Sequence, residues 1–217
     1  MRGLRVGVCE REWEDASPTI ARATEEALSA LEREGARLVR VRIPLAPHAA
    51  AMGVAIMGAE GAALHGDTTR SQRTLASADV RVSLAAALAT SSTAHLDAER
   101  LRAQLRREVA AALAIADVLA LPVLPGRAPT HPGGDPEALA SDMALLAWMC
   151  RHVFLANLTG SPALSAPIGV DSGGAPIGLQ LVGDAWDEAG LLAVAAHLER
   201  TGIAALRTPP GALDLLS

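Results

Sequence analysis

The sequence predicts an α/β fold, and three stretches carry that expectation: an opening strand-helix-strand, a long alanine-rich helical middle, and a closing strand-turn-strand that leads into a last helix. Half of the 217 residues are apolar, enough for one domain with a real core or for a generous half of a larger one. No internal repeat and no Gly/Ser-rich linker divides the chain, so 1–217 is expected to form a single α/β unit.

The elements follow in order. "LRVGVC" (Leu4 to Cys9) alternates and is β-branched, which reads as a strand. Ser17 then stands as an N-cap before Pro18 at the first helical position. Ile20, Ala23, Ala27, Leu28 and Leu31 make one apolar helical face, and Gly35 supplies the stop. "RLVRVRIP" (Arg37 to Pro44) alternates again, completing a unit of the kind that builds parallel sheet. Helices are expected over Ala49 to Leu64, Ala78 to Leu88 and Ser92 to Ala116. The last has a face with Glu99, Arg100, Arg102, Arg106, Arg107 and Glu108, which reads as solvated surface rather than an anion site.

"DVLALPVLPG" (Asp117 to Gly126) is a strand running into a proline-rich loop that lasts to about Asp135, a loop placed to rim a pocket. Pro136 opens a helix expected to reach about Leu155. "ALSAPIGV" and "PIGLQLVG" then flank "DSGG", which is turn chemistry between two short strands. A final helix, Asp187 to Arg200, is expected to turn Leu191, Leu192, Val194, Ala195 and Leu198 inward and to end before Gly202.

Composition excludes several classes. With no Tyr and one Phe the chain lacks the stacking platforms of single-strand binding, and a formal charge of -5 gives no basic footprint, so nucleic acid is not an expected partner. Cys9 and Cys150 match no metal or redox spacing and read as free thiols of a reducing compartment. "MRGLRVGVCE" has no signal-peptide core and no window is apolar for the length of a bilayer span, so no membrane is expected and the location expected is cytoplasmic. The sequon Asn157-Leu158-Thr159 is then not glycosylated. All 19 basic residues are Arg and none is Lys, so this chain by itself houses no lysine base and no Schiff base.

Few residues suggest chemistry of their own. The six histidines show no metal spacing, and neither a metal nor a cofactor is expected; His131, sharing the proline loop with Asp135, is the best acid/base or metal pair on offer, against a reading as solvent-facing loop residues. Ser172 in "DSGG" lacks the Gly-x-Ser-x-Gly spacing of a nucleophile elbow, and a hairpin turn explains the same residues. Gln180 and Val182 share the strand face opposite Leu179 and Leu181; its amide, if buried, either braces the backbone or faces a polar cavity. Asn157 and Thr159 follow an expected helix end, where they read as caps.

The segment "ANLTGSPALSAPIGVDSGGAPIGLQLVGDAWDEAGLLAVAAHLE" (Ala156 to Glu199) closely resembles the C-terminal end of the amidase signature family, in which an Asn-Leu-x-Gly-x-Pro-Ala stretch precedes a Gly-Leu-Gln strand and a final helix. The opening strand-helix-strand and "DVLALPVLPGRAP" look like the corresponding parts of that family, so the resemblance covers nearly the whole chain. It implies a mixed sheet wrapped by helices and amide hydrolysis through a Ser-cisSer-Lys triad. In the family that triad and its Gly/Ser-rich loop lie ahead of everything present here, and this chain has no lysine to supply the base.

The amidotransferase branch of the family holds glutamine with an Arg and an acidic residue; the corresponding places lie near Ser83 and Cys150, neither of which carries that charge. The expectation is therefore the C-terminal portion of an amidase-type hydrolase, inactive alone, whose Pro122, His131, Asn157 and Gln180 wall the pocket of a small-molecule amide. A split amidase completed by a separate N-terminal chain, and a noncatalytic binding or scaffold protein, remain as alternatives. A complementing chain or a homo-oligomer is the expected partner, because a missing half leaves apolar surface and a sheet edge bare.

Overall fold

Among the described residues five strands form one mixed sheet: β1 (Arg5–Val8), β2 (Arg37–Arg40), β3 (Val118–Pro122), β4 (Ala163–Val170) and β5 (Pro176–Gly183), ordered β2-β1-β3-β5-β4. This is a computed structural model, which describes residues 1–9, 16–72, 74, 76–129 and 143–205. β1 lies parallel to β2 and β3, whereas β5 runs antiparallel to both β3 and β4. The crossover units supply the parallel half and the hairpin supplies the antiparallel half.

Helices cover both faces. On one face α1 (Pro18–Arg33) and α7 (Glu188–Arg200) bury Ala27, Leu28, Leu31, Leu191, Val194 and Leu198 against Val118, Ala120, Leu179 and Leu181. On the other, α2 (Ala49–Ser71), α4 (Ser92–Leu113) and α6 (Val153–Thr159) bury Met52, Ile56, Leu105, Val109, Leu155 and Leu158 against Leu119, Leu121 and Val182. Strand alternation sends neighbouring residues to opposite cores, which is why β3 reads as a continuous apolar run and why all five of its residues are buried. α3 (Ala78–Leu88) packs on α2, and α5 (Met143–Cys150) leads into α6.

Several expectations need correction. Ser17 precedes Pro18 as expected, yet its side chain makes no cap bond; its amide instead donates to Pro125 O at 2.7 Å, tying the start of α1 to the proline loop. β2 ends at Arg40, although Val41 and Ile43 continue into the core. α2 runs to Ser71, past the Gly and Thr residues that weaken a helix, because α3 packs along it; the methyl of Ala87 sits beside Gly58. Of the helix expected from Pro136 to Leu155, residues 136–142 lie outside the described part, and the rest is broken at Arg151-His152 into α5 and α6. Asn157 and Thr159 therefore lie inside α6 and do not cap it: Gly160 is its cap residue, and the Thr159 hydroxyl donates back to Leu155 O at 2.8 Å. Leu192 is 65% exposed, on the outer side of α7.

Candidate functional site

Several hollows open among the described residues, and two of them bear on a candidate site. The larger, about 750 Å³, is a groove between α2, α3 and α5, walled by Ala50, Ala51 and Val54 from α2, Val82 and Ala86 from α3, and Ala147 from α5. Alanine-rich helices place small side chains on every face, so where they diverge the walls do not fill the gap. Such a volume falls within the roughly 300–1,000 Å³ of small-molecule sites. Arg151, just beyond α5, is the one charged residue among the described residues lining it. Its Nε donates to Nε2 of His152 at 2.9 Å, and His152 is 1% exposed. The break between α5 and α6 thus seats a buried imidazole and sets a guanidinium at the groove wall. Ser83 lines the same groove, and Cys150 immediately precedes Arg151.

The smaller hollow, about 250 Å³, lies at the carboxyl end of β3 between residues Val123 to Ala128 and the β4–β5 hairpin. The turn at its edge is a three-residue loop: Asp171 N donates to Ala175 O at 2.8 Å, Gly174 N donates to Asp171 O at 3.0 Å, and Gly174 takes a φ of 82°. Asp171 Oδ1 accepts from Gly173 N at 2.8 Å and Ala175 N at 2.9 Å, while Arg127 Nε meets Oδ2 at 2.8 Å. Burial pushes the Asp171 carboxyl up, but those two amides and the Arg127 charge outweigh it and hold the carboxyl below its ordinary value. The "DSGG" segment is accordingly a hairpin turn whose aspartate organises the backbone; Ser172 is exposed at its tip.

The residues singled out from sequence do not gather in one hollow. Pro122 is the last residue of β3, buried and paired across from Leu179, and it borders neither hollow. His131 and Asp135 lie outside the described residues. Asn157 is exposed on α6 and lines neither hollow. Gln180 is 4% exposed on β5, opposite Leu121 on one side and Ser165 on the other. Its Oε1 accepts no hydrogen bond among the described residues, which leaves it as a buried acceptor with unmet capacity.

The Arg-rich face of α4 is partly structural. Arg100 pairs with Asp97 at 2.8 Å on the surface, but Arg102 also donates through Nε to Leu158 O at 2.8 Å, closing the last turn of α6. Among the described residues no cluster of three His, Cys, Asp or Glu side chains is arranged to hold a metal ion. Among them, too, no helix is long and apolar enough to cross a membrane. Arg151 and the Arg127–Asp171 pair were not singled out in the sequence; a cation directly after the apolar "MALLAWMC" run was the available signal for the first.

A mixed sheet between two helical layers, with an apolar groove beside it, defines an α/β protein with room for a small molecule, and comparison with known proteins gives the family. The Amidase family profile matches residues 1–192. The chain is 30% identical to a fatty acid amide hydrolase of Medicago truncatula over 219 residues, covering 100% of this chain and 36% of that protein. It is 32% identical to a glutamyl-tRNA(Gln) amidotransferase subunit of Myxococcus xanthus, covering 92% of this chain and 45% of that one. A crystal structure of an amidase superposes with a TM-score of 0.80 at 27% identity, over 93% of this chain and 46% of that chain. This chain belongs to the amidase family, and it spans less than half the length of these relatives.

Proposed function

We propose that this chain forms the substrate-binding wall of an amidase-type hydrolase and that the serine and lysine machinery of amide cleavage is supplied from outside this sequence. The observation that carries the reading is the coexistence of a large apolar groove with a complete lack of lysine. Amide hydrolysis by a Ser-cisSer-Lys triad needs an amine base to take the serine proton, and the permanently charged guanidinium of Arg cannot serve. What this chain offers is binding: an apolar cleft of a size for an aliphatic or aryl acyl group, and the Gln180 oxygen as a buried acceptor.

Two relatives support the details. A fatty acid amide hydrolase among them fits an apolar acyl group in the α2/α3/α5 groove. A relative that is one subunit of an amidotransferase fits a chain completed by another polypeptide. In that arrangement Pro122 holds the end of β3 within the sheet, Asn157, exposed on α6, is open to the completing chain, and His131 is kept as a candidate for the amide from the sequence alone.

Calorimetric titration of the purified chain with octanamide tests the binding role. Saturable binding is expected, and Ala51→Trp, which puts an indole into the exposed groove wall, is expected to abolish it. Binding that survives that substitution undiminished would place the amide elsewhere.

A further inference from the structure

α3 is an apolar helix without a core of its own. Its sequence, "ADVRVSLAAAL", carries Val, Leu or Ala on every face. A helix apolar all round is ordinarily buried. Yet none of the described residues numbered 67 to 97, those of α3 included, is buried. Val82 is 68% exposed and Leu88 55%.

What holds α3 is chiefly one seam with α2. There Ala87 lies against Gly58 and Leu84 against Gly61. The two glycines raise no side-chain ridge at those points, so little on the α2 side interlocks with α3. Beyond α3 the chain turns into α4 within Ala89 to Ser91, and the first buried residue there is Ala98. A segment with so little buried apolar surface opens locally at low cost. This loosely held helix nevertheless walls the groove through Val82 and Ala86, and Met57 of α2, itself 52% exposed, lines it as well.

We propose that α3 is a lid on the groove: without ligand it swings on its α2 seam, and an apolar chain in the groove draws it down, so that Val82, Ala86 and Met57 close over that chain. This rests on the reading of the groove as an acyl-binding site and goes beyond it, since a cleft with fixed walls would bind the same chain with no change in α3. The driving force is the apolar area that lid and ligand remove from water together. The ligand class follows, because a polar chain gives α3 nothing to close on.

The test is amide hydrogen exchange of the purified 217-residue chain with and without octanamide, read separately for α3 and for the buried half of α4 around Leu105, Val109 and Leu113. In the free chain α3 is expected to exchange at least about tenfold faster than that half of α4. Octanamide at about ten times its Kd is expected to slow α3 roughly tenfold, the factor by which it lowers the ligand-free population. Ala51→Trp, which fills the groove from α2, is expected to leave α3 exchange unmoved by octanamide, with circular dichroism verifying the fold.

Free-chain exchange in α3 as slow as in the buried half of α4 overturns the lid. So does octanamide that binds by calorimetry yet leaves α3 exchange unchanged, and in that case the groove reading stands. Protection of α3 that persists in Ala51→Trp overturns it too, because the ligand then acts from elsewhere. Failure of octanamide to bind at all overturns the groove reading itself, and the lid falls with it.

Discussion

The ring of Phe154 on α6 lies directly against the backbone of Gly53 on α2: a β-carbon built on that glycine would collide with Phe154 Cδ1. The contact sets how closely α6 approaches α2, and α2 is one wall of the groove. Gly53→Ala gains roughly 1 kcal/mol of helix propensity but must move the ring, an overpacking cost of roughly 1–3 kcal/mol. The expected net effect is a loss of about 1 kcal/mol in urea unfolding, together with weaker octanamide binding as α2 shifts.

Gln180 offers a test in the opposite direction. Removing a buried acceptor that has no partner removes a desolvation cost, so Gln180→Leu is expected to raise the stability of the isolated chain by about 1 kcal/mol. If its amide instead serves the completed enzyme, the same variant loses activity in that enzyme while gaining stability here. A fall in stability of the isolated chain would show that Gln180 already has a structural partner.

Trp186 is the one non-glycine residue with positive φ among the described residues, at 68°, and it is 92% exposed. The backbone pays about 1–2 kcal/mol for that conformation and the indole returns no packing. Trp186→Gly is therefore expected to stabilise the chain by up to about 1 kcal/mol in thermal or urea unfolding. An equal loss would mean that the indole packs in solution.

Acid sensitivity follows from two carboxylates. The Arg5 guanidinium and amide bond Asp117 at 2.6 and 2.7 Å, joining the starts of β1 and β3, and hold its carboxyl below the ordinary value. For Asp171, burial works upward but its backbone amides and Arg127 prevail, so its carboxyl is also held low. A carboxyl lowered in the folded state contributes stability that is present above its unfolded pKa, near about 4, and is lost as pH falls through the folded value. Asp117→Asn is expected to flatten the stability profile below about pH 4 and to cost well under about 1 kcal/mol at pH 7, because the pair is around two-fifths exposed. A variant whose acid profile matches that of the unsubstituted chain would remove Asp117 from the account.

The sheet was legible in the sequence because its signals are local. "LRVGVC" alternates, and Asp171 to Gly174 names its own turn, so the strands and the hairpin fall close to where pattern and turn chemistry put them. The groove was not legible. In α2 and α3 alanine occurs on every face, so periodicity does not say which face meets the core; packing of Ala87 on Gly58 and of Phe154 on Gly53 decides it. The break at Arg151-His152 was hidden for a related reason: "MCRHVFLANL" has neither Gly nor Pro, and the buried His152 interrupts the helix through tertiary burial rather than through propensity. The family relationship was legible from Ala156 to Glu199, whereas Arg151 could be found only once α5 and α2 were set side by side.

This chain is expected to bind an amide without cleaving it. The most direct measurement is ammonia release from octanamide by purified chain, in a sample that calorimetry has shown to bind octanamide. The expected result is release no faster than in buffer at every chain concentration, since no lysine is present to activate a serine. Release that rises in proportion to chain concentration and is lost in Ala51→Trp would contradict the claim, because it would place a complete catalytic apparatus within these 217 residues.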